Sequence, residues 1–212
     1  MASPQMALLN SFPPIEWENG RNAISMTTMK RLIALFGLVI LLWFAQGNEA
    51  RAAMADDVQK LLDTKDCPVC ILSEADLRNA DLAGANLKIA VLLKANLAGA
   101  NLSRANLILS DLEAANLQGA QLKQAQMNGA NLLNANLSGA DLTETELTQA
   151  NLEDADLSGA NLEGAIMLSV TLGEANLKDT NLKGANLRGV NRSMALFCHT
   201  IMPDGAIENR DC

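Results

Sequence analysis

The stretch ANLLNANLSGADLTE, residues 130–144, decides how this chain folds. Leucines stand at 132, 137 and 142, an alanine lies two residues before each, and Asn or Asp lies between. The same spacing continues without a gap in both directions, from Cys70 to Val190. Steps of five from Leu72 to Leu187 give 24 positions, 22 of them Leu and the other two Met127 and Met167. The residue two before is Ala at 19 of the 24, and Cys70, Ser110, Thr145, Val170 or Thr180 at the rest. Asn or Asp fills the place between at 17 of 24, so the unit is A-(D/N)-L-x-x.

A period of five is neither the 3.6 of a helix nor the 2 of a strand. In extended chain, residues two apart face the same side, so the Ala and the Leu point inward together and the Asn or Asp points out. The next Leu faces the same interior only if the two remaining residues turn the chain. Four such corners close a square coil of 20 residues. Stacked coils then pair their backbone groups about 4.8 Å apart. The 24 units predict about six coils, a rod roughly 29 Å long at that spacing.

The interior of such a coil holds one Leu per side with an Ala beside it. Trimming Leu137 is expected to open a cavity, and enlarging Ala135 to overpack the core. Gly at nine of the 24 final positions of the unit, Gly84, Gly99 and Gly139 among them, suits a turn that needs unusual dihedrals.

The unbroken A-(D/N)-L-x-x tandem resembles the pentapeptide-repeat family over Cys70 to about Val190, some 121 of 212 residues. The resemblance implies an all-β fold, a right-handed quadrilateral β-helix, and the handedness comes from the resemblance alone. It implies no single activity, because members of one fold family do unrelated things.

Outside the repeat the chain divides into further segments. Residues 1–25 carry Pro13, Pro14 and Trp17 without periodicity and read either as disordered or as an extension upstream of the true start. Residues 26–55 read as a signal peptide: Lys30 and Arg31 precede a 13-residue apolar run, Leu32 to Phe44, and small-x-small sites follow at Ala50-Arg51-Ala52 and Ala53-Met54-Ala55. Thirteen residues are short of the about 20 a membrane span needs. Export to a periplasm or thylakoid lumen is the expectation, with no membrane attachment after cleavage; an uncleaved anchor is the alternative. Cleavage after Ala52 leaves 12 Lys plus Arg against 21 Asp plus Glu, a net charge of −9, which argues against binding nucleic acid through its phosphates.

Residues 56–66 predict a capping helix with Asp56 or Asp57 at its start, Val58, Leu61 and Leu62 on one face and Lys65 near its end. The coil is assigned to 67–197 and a C-terminal cap to 198–212. Cys67-Pro68-Val69-Cys70 has the form of a redox dithiol, but that chemistry wants a strand before and a helix after. Here Cys70 fills the inward small position of the first unit. Four cysteines permit three pairings. A rod of about 29 Å separates Cys67 and Cys70 from Cys198 and Cys212, leaving only Cys67–Cys70 and Cys198–Cys212 within reach of a disulfide. The first, closing a four-residue loop, could also remain as two thiols.

With 20 residues per coil, residue n lies against n+20. Ile89, Val91, Leu93, Ile108 and Leu109 then become neighbours on an outer surface that is otherwise polar, a candidate surface for a protein partner. Between Lys123 and Lys178 there is no Lys or Arg, while Asp141, Glu144, Glu146, Glu153, Asp154, Asp156, Glu163 and Glu174 fall there. This acidic band reads as a solvated face or as a site for a basic partner.

After Leu187 the pattern breaks, with Arg192 where Leu is due, and returns at Ala195-Leu196-Phe197. Thr200-Ile201-Met202 and Ala206-Ile207 flank Pro203-Asp204-Gly205 and predict a hairpin that closes the last coil. In family terms, a helix before the coil and a cysteine-flanked cap after it resemble exported pentapeptide-repeat proteins of photosynthetic bacteria and chloroplast lumens.

Catalysis finds no support: His199 is the only histidine, Tyr is absent, and no phosphate loop or metal-ligand spacing appears. The sequence therefore points to an exported, non-enzymatic scaffold or protein-binding module without cofactor or metal, its partner unspecified. The rivals are a DNA-mimicking topoisomerase inhibitor and a dithiol redox protein using Cys67 and Cys70.

Overall fold

The structure, a computed structural model, describes residues 54–212. The expectations for residues 1–25 and for the apolar run at 32–44 lie outside these residues. Among the described residues no helix is long and apolar enough to cross a membrane.

Each unit contributes one rung to a parallel ladder. From Asp66↔Asn86 to Asn181↔Ile201, 24 bridges follow one another at five-residue intervals, and every one joins residue n to n+20. Asn96↔Asn116 shows the arrangement: Leu97 N–H donates to Asn116 O at 2.7 Å and Asn116 N–H to Ala95 O at 2.9 Å. Each rung is a single residue long because the chain turns immediately afterwards. This is why the only strands longer than a bridge among the described residues are the two-residue β1 (Thr200–Ile201) and β2 (Ile207–Glu208). We number the four sides by their central residues: side 1 carries Leu72, Leu92 and so on, side 2 Leu77, side 3 Leu82 and side 4 Leu87.

The corners explain the second half of the unit. Ala100 N–H donates to Leu97 O at 3.0 Å across the turn, and Gly99 has φ +68°, the φ signature of a type II turn. In 23 of the 24 units the corresponding residue has φ between +53° and +78°. Fourteen of these are not glycine, so the tertiary ladder overrides a local preference that costs about 1–2 kcal/mol per residue. The exception is Glu174, where Gly173 stands one place early.

The core is the stack of inward pairs. Leu or Met at every central position from Leu72 to Leu182, and the Ala two residues before, are almost all under 3% exposed, with Ala75 and Ala185 a little more open and Ala80 only partly buried. The polar residues that take the small position are satisfied locally. Ser110 Oγ donates to Leu107 O at 2.8 Å, Thr145 Oγ1 to Leu142 O at 2.8 Å and Thr180 Oγ1 to Leu157 O at 2.8 Å. A hydroxyl of that size fits the alanine slot and finds a carbonyl within reach, so these exchanges leave no orphaned polar group.

Both ends of the coil are closed. Cys67, fully buried, occupies the central position on side 4, so the ladder begins at Asp66, one unit before the leucine pattern is visible. Before it runs helix α1, described over 54–64. Because α1 is already helical at 54, neither Asp56 nor Asp57 opens it; instead the Asp57 carboxylate accepts the Ile71 N–H at 2.8 Å and ties the helix to the first coil. Leu61 is buried and Val58 packs against the core, while Leu62 turns outward at 46% exposed, a correction to its expected place on the buried face. At the far end Phe197 fills the side 2 centre at 2% exposed, with the Arg210 guanidinium 5.1 Å from its ring centroid. β1 is itself the last rung, Ile201 bridging Asn181, and β2 pairs antiparallel on its free edge, Thr200↔Glu208 and Ile201↔Ile207. Arg192 is exposed, and its carbonyl accepts from Arg210.

Candidate functional site

The 20-residue register places Ile89, Ile108 and Leu109 along the edge where side 4 turns into side 1, with Val91 on side 1 and Leu93 where side 1 turns into side 2. Val69, Ile89 and Leu109 stack at this corner, joined by Val69 N–H to Lys88 O and Ile89 N–H to Ile108 O, both 2.9 Å. Ile71 and Val91 form a bridge on the adjoining side. Ile89 is 45% and Leu109 57% exposed; Val91, Leu93 and Ile108 are half-buried. The stripe is longer than the sequence reading had it. Val69 at 65% and Ile71 at 53% extend it to the helix-capped end; both lie around the cysteine loop, Val69 just ahead of the first unit and Ile71 within it. The register gave the signal that finds them, since 69 and 71 lie one coil below 89 and 91. Towards the middle of the rod, Ile108 and Leu109 border a shallow groove over Asn128, Gly129 and Thr148 that ends at Ile166. Leu109 lies down on Gly129: a Cβ there would meet its Cδ2 at 2.7 Å.

The residue types on the stripe's backbone set it apart. Val69, Ile89 and Leu109 have φ of 62°, 58° and 57°. For a β-branched residue this region is a steric outlier, so Val69 and Ile89 carry both a strained backbone and apolar area left in water.

The acidic residues do not share one face. Glu146 is on side 4, Asp156 on side 2 and Asp141 on side 3, and Glu144, Glu153, Asp154, Glu163 and Glu174 are at corners. They form a belt round the rod, and several are engaged. Glu144 accepts from Gln124 at 2.6 Å, Glu146 from Asn128 at 2.9 Å, Asp156 from Asn176 at 2.9 Å, and Asp141 takes the Thr143 hydroxyl. The carboxylates held below their ordinary range lie elsewhere: Asp76 beside Arg78, Asp81 beside Lys65, and Asp211, lowered first by the Phe197 N–H and then by Arg210.

The cysteines form two bridges, Cys67–Cys70 with Cα atoms 5.4 Å apart and Cys198–Cys212 with 4.9 Å, separated in sequence by 3 and 14 residues. Cys67 and Cys70 are buried, at 0% and 4% exposed. The grooves on the described surface are lined by repeat and cap side chains, and none gathers a nucleophile, a base and an orienting group.

A sequence profile of the family described as pentapeptide repeats (8 copies) matches residues 70–107, 95–133, 105–143, 130–167 and 169–202. No curated protein sequence matches the chain. Among solved structures, it is similar to HetL, a pentapeptide repeat protein involved in heterocyst differentiation regulation from the cyanobacterium Nostoc, with 33% identity over 68% of this chain and 76% of that one and a TM-score of 0.35. A pentapeptide repeat protein of the Arabidopsis thaliana thylakoid lumen shares 36% identity over 45% of this chain and 63% of its own, with a TM-score of 0.35. A third, from the cyanobacterium Cyanothece, shares 24% identity over 68% of this chain and 98% of its own, with a TM-score of 0.32. The profile alone covers more than half of the sequence, and with the five-residue period and four-sided ladder it leads to one conclusion: the chain belongs to the pentapeptide-repeat family.

Proposed function

We propose that this protein is an exported, non-enzymatic pentapeptide-repeat module that binds a protein partner through the apolar stripe from Val69 to Leu109. The observation that carries the reading is the double cost paid there. A β-branched residue in the left-handed region is strained, and an exposed one forgoes burial; at the same corner Gly129 and Gly189 avoid both. Backbone strain favours glycine or an unbranched side chain at such a position, so β-branched valine and isoleucine point to selection by something else. Export rests on Lys30, Arg31, the apolar run at 32–44 and the small-x-small sites.

Two rivals fare less well. A DNA-like inhibitor needs acidic groups in an open array, whereas these encircle the rod and several are tied to neutral partners. A dithiol catalyst needs an accessible sulfur, and Cys67 and Cys70 are buried beneath α1.

The test is capture of the partner from the native host by wild-type protein and by the double variant Ile89→Ser and Leu109→Ser. The variant is expected to lose the partner while its stability stays within about 1 kcal/mol, as exposed substitutions do. Undiminished capture sinks the reading. Export is checked separately by the N-terminal residue of protein from the same host: a start at Ala53 or Asp56 supports it, and soluble cytoplasmic protein retaining Met1 or Met29 removes it.

A further inference from the structure

At the corner after side 2 the register brings together residues that sequence spacing keeps apart. Asp179 and His199 are one coil apart, with φ of 57° and 52°, so their side chains leave the rod at the same place in adjacent layers. Asp179 N–H donates to Cys198 O at 2.8 Å, which fixes the layers. Asp179 Oδ1 lies 3.3 Å from His199 Nδ1, and Cys198 Sγ lies 3.7 Å from the same nitrogen. The cap returns Cys212 to this point, and the ligand atoms of Cys198, His199 and Cys212 all lie within 4.8 Å of one another. His199 is held from behind, its N–H donating to Asn209 Oδ1 at 2.9 Å.

Zinc binds Cys sulfur at about 2.3 Å and His nitrogen or carboxylate oxygen at about 2.0–2.2 Å in a tetrahedron, which puts neighbouring ligand atoms about 3.3–3.8 Å apart. The Asp179–His199 and Cys198–His199 separations are those of such an edge. Two sulfurs and one imidazole already converge and match zinc in type, and the exposed Asp179 side chain, which meets His199 but not the sulfurs, completes the set of four by turning toward them. Only the oxidation state of the sulfurs stands in the way.

We propose that the Cys198–Cys212 disulfide is one state of a two-state centre whose reduced form binds a zinc ion through Cys198, Cys212, His199 and Asp179. A dithiol reductant supplies two electrons and two protons: the protein S–S bond breaks, two protein thiols form, and the reductant closes its own disulfide. Zinc then displaces both thiol protons to solvent and is held by two thiolates, the imidazole and the carboxylate. The cap is thus cross-linked in either state, by sulfur–sulfur when oxidised and by metal when reduced. The other bridge does not offer this. Among the described residues Asp57 is the only further ligand beside Cys67 and Cys70, and its carboxylate already holds the Ile71 N–H.

The experiment titrates cobalt(II), as a spectroscopic stand-in for zinc, into the full chain with and without prior reduction by a water-soluble phosphine. The reduced chain is expected to bind one cobalt with a thiolate charge-transfer band and tetrahedral ligand-field bands, both removed by zinc, and the oxidised chain to show neither. Mutation of groups that merely orient a metal ligand costs about 10–100-fold in affinity, so His199→Ala and Asp179→Ala should each weaken binding by about tenfold or more. Without any mutation, zinc should protect Cys198 and Cys212 of the reduced chain from alkylation, read by peptide mass. Absence of the cobalt bands, wild-type affinity in both variants, or full alkylation of Cys198 and Cys212 in the presence of zinc would each overturn the proposal.

Discussion

Two corners of the coil share one backbone and differ in everything attached to it. After side 2 the chain turns at Asn79, Gly99, Gly119, Gly139, Gly159, Asp179 and His199; after side 4 it turns at Val69, Ile89, Leu109, Gly129, Gln149, Ser169 and Gly189. All fourteen have φ between +52° and +78°. The first column has glycine through its middle layers and chemistry-bearing residues only at its last two. The second begins with three large apolar residues. The ladder imposes the left-handed turn whatever residue is present, so the difference measures what the fold leaves free, and departures from glycine mark where another demand has acted.

The comparison needs a scale, which the interior sets. Leu137→Ala removes a fully buried side chain from the stacked core and is expected to cost about 2–5 kcal/mol, measured by denaturant unfolding. A loss no larger than that of a corner substitution would mean that the inward columns do not carry the stability. Next in size is Gly139→Ile. Nothing lies within 4 Å of the added Cβ, and φ is +66°, so the change isolates backbone strain and should cost about 1–2 kcal/mol. The reverse change, Ile89→Gly, relieves the same strain but enlarges the conformational freedom of the unfolded chain. It should cost less than Gly139→Ile, or stabilise by up to about 1 kcal/mol. If the two substitutions destabilise equally, Ile89 is not strained, and the reading of its corner as selected for binding falls with that result.

How much of this was open to a reader of the sequence follows from the same geometry. The inward residues are legible because one slot accepts little besides Leu or Met and the next little besides Ala, so packing writes itself as a period of five. The register of 20 follows from four equal sides, and with it the neighbours Ile89, Val91, Leu93, Ile108 and Leu109. Three things were hidden. Cys67 fills a leucine slot, so Asp66, the first rung of the ladder, reads in sequence as the end of the capping helix assigned to 56–66. Leu62 sits at helical spacing from Val58 yet turns outward, because the narrow mouth of a coil accepts only Leu61 and Val58. His199 joins Cys198 and Cys212 in one cluster only once the cap folds back, with Asp179 against its ring from the coil below, and nothing local marks the group. The acidic residues were legible as a composition but not as a surface, since a run along the sequence becomes a belt when every fifth residue changes side.

The smallest effect tests whether the end of the first corner is held as firmly as its middle. The Asp211 carboxylate accepts the Phe197 N–H at 2.9 Å and pairs with Arg210 at 3.1 Å, while Asp211 N–H returns a bond to Phe197 O at 2.8 Å. The Phe197 bond is the first cause of its lowered pKa and Arg210 the second. A carboxyl whose pKa falls on folding binds fewer protons when folded. Its contribution is therefore complete above the unfolded value of about 3.9 and fades as the pH drops through the folded value. Acidification from pH 6 to pH 3 should thus loosen the cap before the coil. In hydrogen exchange, corrected for intrinsic rates, the Phe197 and Asp211 amides should lose protection while that of Leu137, bonded to Asp156 O at 2.7 Å in the ladder, keeps it. Asp211→Asn should remove the pH dependence at Phe197. Equal loss at Phe197 and Leu137 would mean that cap and coil open together, and that the corner ending in His199 has no separate stability for a bridge or a metal to supply.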